Sequence, residues 1–519
     1  MEKETVRNMM TEFWKEHSKF ATVEEMMLDS NAQELTQHEL PEILSLLPSL
    51  AASDVLELGA GIGSVITLSL TLDSEETCRS LMFGRFTRHL IGKARHVTAV
   101  DFMEKFVEKN KKDNSHLGNA EFIQADVTKL DFPKNSLDVV FSNWLLMYLS
   151  DEELKSLAEK FLMWLRPGGY LFFRESCFHQ SGDCKRDFNP THYRSPAYYN
   201  HLMSSLLLDE SDQTEKKYYG FDMVLNKTVQ TYVKMKNNQN QLCWLMQKVR
   251  RDAVQQHQGG FSTFQEFLDN QQYTRRGILR YEKMFGSGYV STGGFNTTKE
   301  FVDMLNLTAG QKVLDVGCGI GGGDFYMAKT FGVEVLGMDL SSNMVDIAME
   351  RAMKEKLPLV QFEVSDATKR RFPDAAFDVV YSRDTILHIR DKLDLFRKFY
   401  SWLKPGGKLL ISDYCCGEKP WSPAFQDYVN QRGYILYTPQ RYGQFLSEVG
   451  FSNVRAEDRT EQFIQVIKAE LQRAEEMKEE FIQEFSQEDY DAVVNGWTEK
   501  LQRCETGDQR WGLFYATKE

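Results

Sequence analysis

Two stretches of this chain set a carboxylate two residues ahead of a glycine at the end of an apolar run. They are Val55-Leu56-Glu57-Leu58-Gly59-Ala60-Gly61-Ile62-Gly63 and Val313-Leu314-Asp315-Val316-Gly317-Cys318-Gly319-Ile320-Gly321-Gly322-Gly323. Glycines after a buried strand let the backbone approach a ligand closely, and the preceding acid decides which ligand is welcome. A pyrophosphate is repelled by that carboxylate, whereas the sulfonium and ammonium of S-adenosylmethionine (SAM) are attracted to it. Either stretch alone also satisfies a dinucleotide loop or a tight turn. The order of the residues downstream separates these readings. Asp339 closes the apolar run Val333 to Met338, where an acid can grip a ribose diol, and Asp366 follows Phe362-Glu363-Val364-Ser365, where an acid or its neighbour can meet the adenine amine. Asp101 and Asp126 repeat this in the first half, and each half continues with a strand ending in Ser142-Asn143 or Ser382-Arg383. Then comes Trp164-Leu165-Arg166-Pro167-Gly168-Gly169 or Trp402-Leu403-Lys404-Pro405-Gly406-Gly407. The pattern calls for two SAM sites and no metal.

Strands alternating with helical segments place each site at one edge of a doubly wound sheet, so the chain is expected to be α/β, two tandem Rossmann-like domains of the class I SAM-dependent methyltransferase type. The expected domains are residues 1–255 and 256–519, joined near Gln255 to Gly260. Asp126 and Asp366, like Asn143 and Arg383, lie 240 residues apart; Asp101 and Asp339, like Pro167 and Pro405, lie 238 apart; Glu57 and Asp315 lie 258 apart. The first copy therefore carries about 20 extra residues, assigned to about 64–84. Ser64 to Leu72 alternates like a strand where the helix facing the cofactor should open. This reads either as a tolerated surface excursion or as an interruption that disables the first site. Gln230 to Lys234 and Leu242 to Met246 read as an antiparallel edge hairpin, and Trp511 to Tyr515 as its counterpart in the second half. Glu461 to Phe485 reads as a helix covering the sheet.

At 519 residues and 42% hydrophobic content, ordinary soluble cores are expected, and a net charge of -13 disfavours a general polyanion-binding surface, so no nucleic acid is expected as partner. Eight cysteines without a CxxC pair fit a reducing, cytoplasmic setting. No apolar run approaches a membrane span of roughly 18 residues.

The match then becomes specific. Strings such as Ala21-Thr22-Val23-Glu24-Glu25-Met26-Met27-Leu28-Asp29, Ser142-Asn143-Trp144-Leu145-Leu146-Met147-Tyr148-Leu149-Ser150, Asn270-Gln271-Gln272-Tyr273, Tyr381-Ser382-Arg383-Asp384-Thr385-Ile386-Leu387-His388 and Gln431-Arg432-Gly433-Tyr434 resemble the tandem phosphoethanolamine N-methyltransferases of plants. The second half also resembles the single-domain malarial enzyme. The resemblance covers nearly the whole chain and implies successive SAM-dependent methylation of phosphoethanolamine, through its mono- and dimethyl forms, to phosphocholine for phosphatidylcholine synthesis. It implies a small-molecule phosphobase as partner, and a monomer is expected.

Methyl transfer needs a neutral amine, and a primary amine like the Lys side chain has a pKa near about 10.4, so a proton must leave on binding. His388 lies five residues after Arg383, near the cofactor's methyl end, and the resemblance pairs it with Tyr273 as a catalytic dyad. It implies SAM ligands at Gln272, Ser291, Asp315, Gly317, Asp339, Leu340, Asp366, Ala367 and Arg383, and phosphobase ligands at Tyr281, Asp384, Tyr414, Tyr428, Arg432, Tyr434 and Lys500. In the first half the corresponding SAM residues are Gly59, Arg85, Asp101, Asp126, Val127 and Asn143, with Arg85 stranded beyond the insertion. The phosphobase residues there are Ser176, Ser181, Gly182, Arg186 and Tyr193. No histidine matches His388 in the first half, with Tyr148 read as two residues beyond that register. The competing readings are another small-molecule SAM methyltransferase and a first half that only supports the second.

Overall fold

The structure, a computed structural model, describes residues 3–16, 19–62, 65–67, 82–84, 86–183, 189, 191–211, 215–251 and 263–519. It divides into two compact units, Met1–Gln255 and Gln256–Glu519. The linker stretch near Gln255 to Gly260 lies outside the described residues.

In the first unit the strands are β1 (Asp54–Leu58), β2 (Val65–Thr67), β3 (Met82–Gly84), β4 (His96–Asp101), β5 (Ala120–Gln124), β6 (Leu137–Asn143), β7 (Leu165–Ser176), β8 (Leu208–Asp209), β9 (Tyr218–Thr228) and β10 (Gln241–Arg251). Its main sheet runs β9-β10-β7-β6-β1-β4-β5, with β8 against β9. The second unit contributes β11 (Lys312–Val316), β12 (Glu334–Asp339), β13 (Val360–Val364), β14 (Phe377–Arg383), β15 (Leu403–Cys416), β16 (Ser452–Asp458) and β17 (Gln509–Thr517), in the order β16-β17-β15-β14-β11-β12-β13. Five strands of each sheet are parallel and one antiparallel strand follows, β10 against β7 and β17 against β15. Parallel strands need helical crossovers, and burial on both faces explains their continuous Val, Leu, Ile and Phe content. Phe141 stacks on Phe172 at 5.0 Å in the first core, and Tyr442 on Phe514 at 4.0 Å in the second.

Three expectations need correction or completion. Gln230–Lys236 is a helix, not a hairpin arm, and β10 is an inner strand whose outer partner is β9. The cause is an N-terminal cap from elsewhere: the Glu42 carboxylate accepts from Gln230 N at 2.7 Å, Thr231 N at 3.0 Å and Thr231 Oγ1 at 3.0 Å. The segment Glu461 to Phe485 forms two helices, Thr460–Glu476 and Lys478–Glu484, with Phe463, Ile467 and Phe481 buried and Phe463 stacked on Trp511 of β17 at 5.3 Å. In the second unit the helix Gly322–Phe331 opens directly after the glycine loop, whereas in the first β2 and β3 pair antiparallel and helix Phe86–Ile91 follows. Residues 68–81 lie outside the described set.

Among the described residues no helix is long and apolar enough to cross a membrane. The six described cysteines are free and buried.

One interaction pins the helix Ala32–Leu46 to the first sheet. Arg174 on β7 and Glu39 on that helix are both fully buried and meet at 2.7 Å. Removing the charge on one side leaves the other buried and uncompensated. Glu39→Gln is therefore expected to lower the stability of the first unit by about 3 kcal/mol, read by chemical unfolding; an unchanged midpoint contradicts this.

Candidate active site

The second unit encloses a cavity of about 860 Å³ at the carboxyl ends of β11, β12, β13 and β14. Gly317 and Gly319 sit at positive φ, 84° and 54°, a conformation L side chains avoid, so the loop needs glycine at both positions. Asp339 fixes the loop by accepting from Gly319 N at 3.0 Å and Ser341 N at 2.9 Å; burial nevertheless pushes its carboxyl up to about 6. Burial also raises Asp315 and, beside it on the first helical turn, Asp324. Asp315 Oδ1 and Gln272 Oε1 are buried without a hydrogen-bond partner among the described residues. Buried carboxylate oxygens without protein donors, next to a loop with no side-chain bulk, fit a cationic sulfonium and ammonium ligand better than a pyrophosphate. Asp366 follows β13 and accepts from Thr368 N at 2.9 Å.

The opposite end carries the other sign. Lys500 is buried, its Nζ 3.3 Å from Tyr414 Oη and 4.2 Å from the Trp497 ring; desolvation pushes its ammonium down to about 8. Arg432 stands 5.9 Å over the Tyr428 ring, near Tyr434, Tyr281 and Tyr273. Neither cation has a carboxylate within ion-pair distance among the described residues. Sequence reasoning missed Trp497 and Arg503, which lie three residues either side of Lys500 on helix Gln487–Glu505 and so share its face. The Arg503 guanidinium lies 3.8 Å over the Tyr428 ring.

Between the two ends lie His388 and Asp384. Asp384 has φ 48° and accepts from Thr292 N at 3.0 Å and Trp511 Nε1 at 2.9 Å. Burial and the cations Lys392 and Arg432 push the His388 imidazole down to about 4, and its Nδ1 has no partner among the described residues. The ring stands edge-on to Tyr434 at 5.1 Å. Tyr273, whose phenol burial raises, lines the same cavity, but among the described residues no hydrogen bond joins it to His388. The two residues expected as a dyad thus share one cavity without a hydrogen bond between them among the described residues. Arg383 lines the cavity while its guanidinium donates to Thr292 O at 2.7 Å, Thr297 Oγ1 at 3.0 Å, Thr298 Oγ1 at 3.0 Å and Ser412 Oγ at 2.8 Å. Every residue expected at this second site borders this one cavity, Ser291, Leu340 and Ala367 included.

The first unit has a narrower cavity of about 130 Å³ in the equivalent place. Gly59, Asp101, Asp126, Val127, Asn143, Ser176, Ser181, Gly182 and Tyr193 line it; Arg85 and Arg186 lie outside the described residues. Asp101 accepts from Gly61 N at 2.9 Å and Met103 N at 2.9 Å, the same grip that Asp339 has on its loop, and Asp126 accepts from Thr128 N at 3.0 Å as Asp366 does from Thr368. The ligand loop is therefore formed up to the insertion. Ser181 Oγ is buried without a partner among the described residues. The reading of Tyr148 is corrected: it stands 240 residues before His388, and closes the turn Leu146–Tyr148 as His388 closes Ile386–His388. Trp144, at φ 54°, takes the place of Asp384.

Comparison with known proteins agrees with this geometry. Models described as "Methyltransferase domain" match residues 314–411 and 82–169, the second match beginning beyond the first glycine loop. The chain is 53% identical over 514 residues to Phosphoethanolamine N-methyltransferase 3 of Arabidopsis thaliana, covering 99% of this chain and 98% of that protein. The Phosphoethanolamine N-methyltransferase of Plasmodium falciparum is 41% identical over 255 residues, 49% of this chain and 95% of its own length. The solved structure of Haemonchus contortus Phosphoethanolamine N-methyltransferase 2 with phosphomonomethylethanolamine and S-adenosylhomocysteine superposes with a TM-score of 0.73 at 28% identity, over 93% of this chain and 99% of that one. With two SAM-type cavities on two doubly wound sheets and full-length identity above half, the chain belongs to the phosphoethanolamine N-methyltransferase family.

Proposed function

We propose that this chain transfers methyl groups from SAM to the nitrogen of phosphoethanolamine and of its mono- and dimethyl forms, giving phosphocholine, a precursor for phosphatidylcholine. The observation that carries the reading is the polarity of the second cavity. Arg432 and Lys500, neither in a close ion pair among the described residues, sit at one end, with Glu470 and Asp384 acting on Lys500 only at longer range, and the buried carboxylates Asp315 and Asp339 sit at the other. A phosphate at the cationic end and a sulfonium at the anionic end satisfy both, and the span between them is filled by a short aminoalkyl chain. Another small-molecule acceptor without a phosphate leaves the cations uncompensated. We read the protein as a cytoplasmic monomer acting on small molecules.

SAM would be held in the second unit by Asp315, Gly317, Asp339, Leu340, Asp366, Ala367, Gln272, Ser291 and Arg383, the last through the loop it ties down. When bound, it supplies an electrophilic methyl group. Asp384 draws the substrate ammonium toward the cofactor end. His388 is neutral near pH 7, so Nδ1 can accept an N–H of the primary or monomethyl amine and hold its lone pair in line. At about 4 the imidazole is too weak to take a proton from an ammonium of pKa near about 10 unaided. A phosphate dianion beside Arg432 opposes one of the charges that lower it, so substrate raises the basicity of His388 where it is needed. Tyr273 lines the same cavity. In the first unit Glu57, Gly59, Asp101, Asp126, Val127 and Asn143, with Arg85, would hold the cofactor, and Ser176, Ser181, Gly182, Arg186 and Tyr193 the phosphate.

Three outcomes test this. Arg432→Ala is expected to raise KM for the phosphobase on the order of tenfold or more with little change in SAM affinity; an unchanged KM removes it as a phosphate ligand. His388 is expected to be neutral in the ligand-free protein at pH 6, with an NMR titration midpoint that moves upward on adding phosphobase; its depressed value favours the folded state above pH 6.5 and that advantage is lost as pH falls toward about 4. A free-protein midpoint at 6.5 or above contradicts the burial argument. Because the SAM cation favours the deprotonated Asp315 and the ribose diol donates to a deprotonated Asp339, SAM affinity should weaken as pH falls through about 7 to about 6, with proton release seen by calorimetry in buffers of different ionisation enthalpy; pH-independent binding contradicts roles for Asp315 and Asp339.

A further inference from the structure

The turn that carries His388 is clamped in a manner that recurs in the first unit from different chain positions. In the second unit Asp413 on β15, fully buried and raised by desolvation, accepts from Leu387 N at 3.2 Å. Lys392, four residues past His388, donates from Nζ to Ile386 O at 2.5 Å and Ile389 O at 3.2 Å. In the first unit Glu175 on β7, also fully buried, accepts from Leu145 N at 3.3 Å, Leu146 N at 2.9 Å and Met147 N at 3.2 Å. The carbonyls of Leu146 and Leu149, which are the 240-residue counterparts of Ile386 and Ile389, are held by Arg194 at 3.2 Å and 2.5 Å. Arg194 lies 46 residues past Tyr148, so the same two carbonyls are satisfied by a cation of a different type from a different part of the chain. Buried carbonyls must be paired wherever they occur, and here the pairing holds the Leu146–Tyr148 turn at the same register as Ile386–His388 with different side chains.

What the first clamp presents is Tyr148, at the His388 position. Tyr148 is 8% exposed, lines the cavity with Asp101, Asp126 and Asn143, and stands edge-on to Trp14 at 5.6 Å, as His388 stands edge-on to Tyr434. Among the described residues lining this cavity there is no histidine, lysine or arginine. We propose that Tyr148 is the catalytic residue of the first unit that meets the substrate amine, its hydroxyl oxygen accepting an N–H so that the nitrogen lone pair faces the methyl group. The ammonium proton leaves to water before transfer; the nitrogen lone pair then forms the N–C bond while the electrons of the broken C–S bond remain on sulfur. Glu175 and Arg194 are positioning residues that aim it. This rests on the reading of the chain as a phosphobase methyltransferase.

The test uses the full chain with the second unit silenced by His388→Ala, assayed on phosphoethanolamine. Adding Tyr148→Phe is expected to lower kcat on the order of 10- to 100-fold, with KM and calorimetric SAM affinity within about twofold, and Tyr148→His is expected to restore much of the rate. Retained kcat in the Phe variant overturns the assignment, as does equal loss of SAM affinity, which a merely structural role would produce. A silenced chain with no residual methylation also overturns it. If the unaltered chain does not methylate phosphoethanolamine at all, it is the functional reading that fails.

Discussion

Buried charge that makes no close ion pair with the protein is the constraint around which the second unit is arranged: Lys500 feels Glu470 and Asp384, and Asp315 feels Arg383, only at longer range. An isolated ion in a low-dielectric interior costs several kcal/mol, and a fold tolerates it only where a ligand compensates. Here the carboxyls of Asp315 and Asp339 are pushed upward at one end of the cavity, and the Lys500 ammonium is pushed downward at the other. The parallel sheet separates them: the carboxyl ends of β11 and β12 present the acids, while the helices Pro423–Arg432 and Gln487–Glu505 bring Arg432 and Lys500 to the opposite side. A ligand pair with a positive sulfonium and a negative phosphate neutralises both ends at once, and the amine lies in between by geometry. His388 stands where the two fields meet.

The two units keep this plan to different degrees. Both retain an acid that binds the glycine loop through backbone N–H groups, both turn the chain through positive φ after the fourth parallel strand, and both clamp the next turn with a buried acid and a cation. The buried guanidinium has moved between strands: Arg383 lies on β14 opposite Ser412 of β15, whereas Arg174 lies on β7 opposite Asn143 of β6. Each still reaches the helix that precedes its first strand, through Thr297 and Thr298 or through Glu39. Backbone positions are thus shared between the copies more closely than side-chain identities, as a common cofactor geometry requires.

Much of this was legible in the sequence because the information is local. A carboxylate, a glycine loop and strand periodicity are short-range signals, and their repetition at near-constant spacing exposed both units and the extra residues of the first. The cavity-lining set around Tyr281, Tyr428, Arg432 and Lys500 was reached through family resemblance, since those residues come from three separate helices or loops that no spacing rule connects. The misread helix at Gln230 was decided by Glu42, 188 residues away, and such a cap has no local signature. Glu175 and Asp413 were missed although they lie 238 residues apart, the register of Pro167 and Pro405 in the same strands; carrying that register to the strand ends would have found them.

The central claim, that the charge-separated cavity selects an aminoalkyl phosphate, is tested most directly by the products the purified chain makes from SAM with phosphoethanolamine and, in parallel, with ethanolamine. The expected result is sequential mono-, di- and trimethylated phosphobase ending in phosphocholine, with ethanolamine unreacted because Arg432 and Lys500 gain no counter-ion from it. Methylation of both acceptors at similar rates, or of neither, would contradict the account.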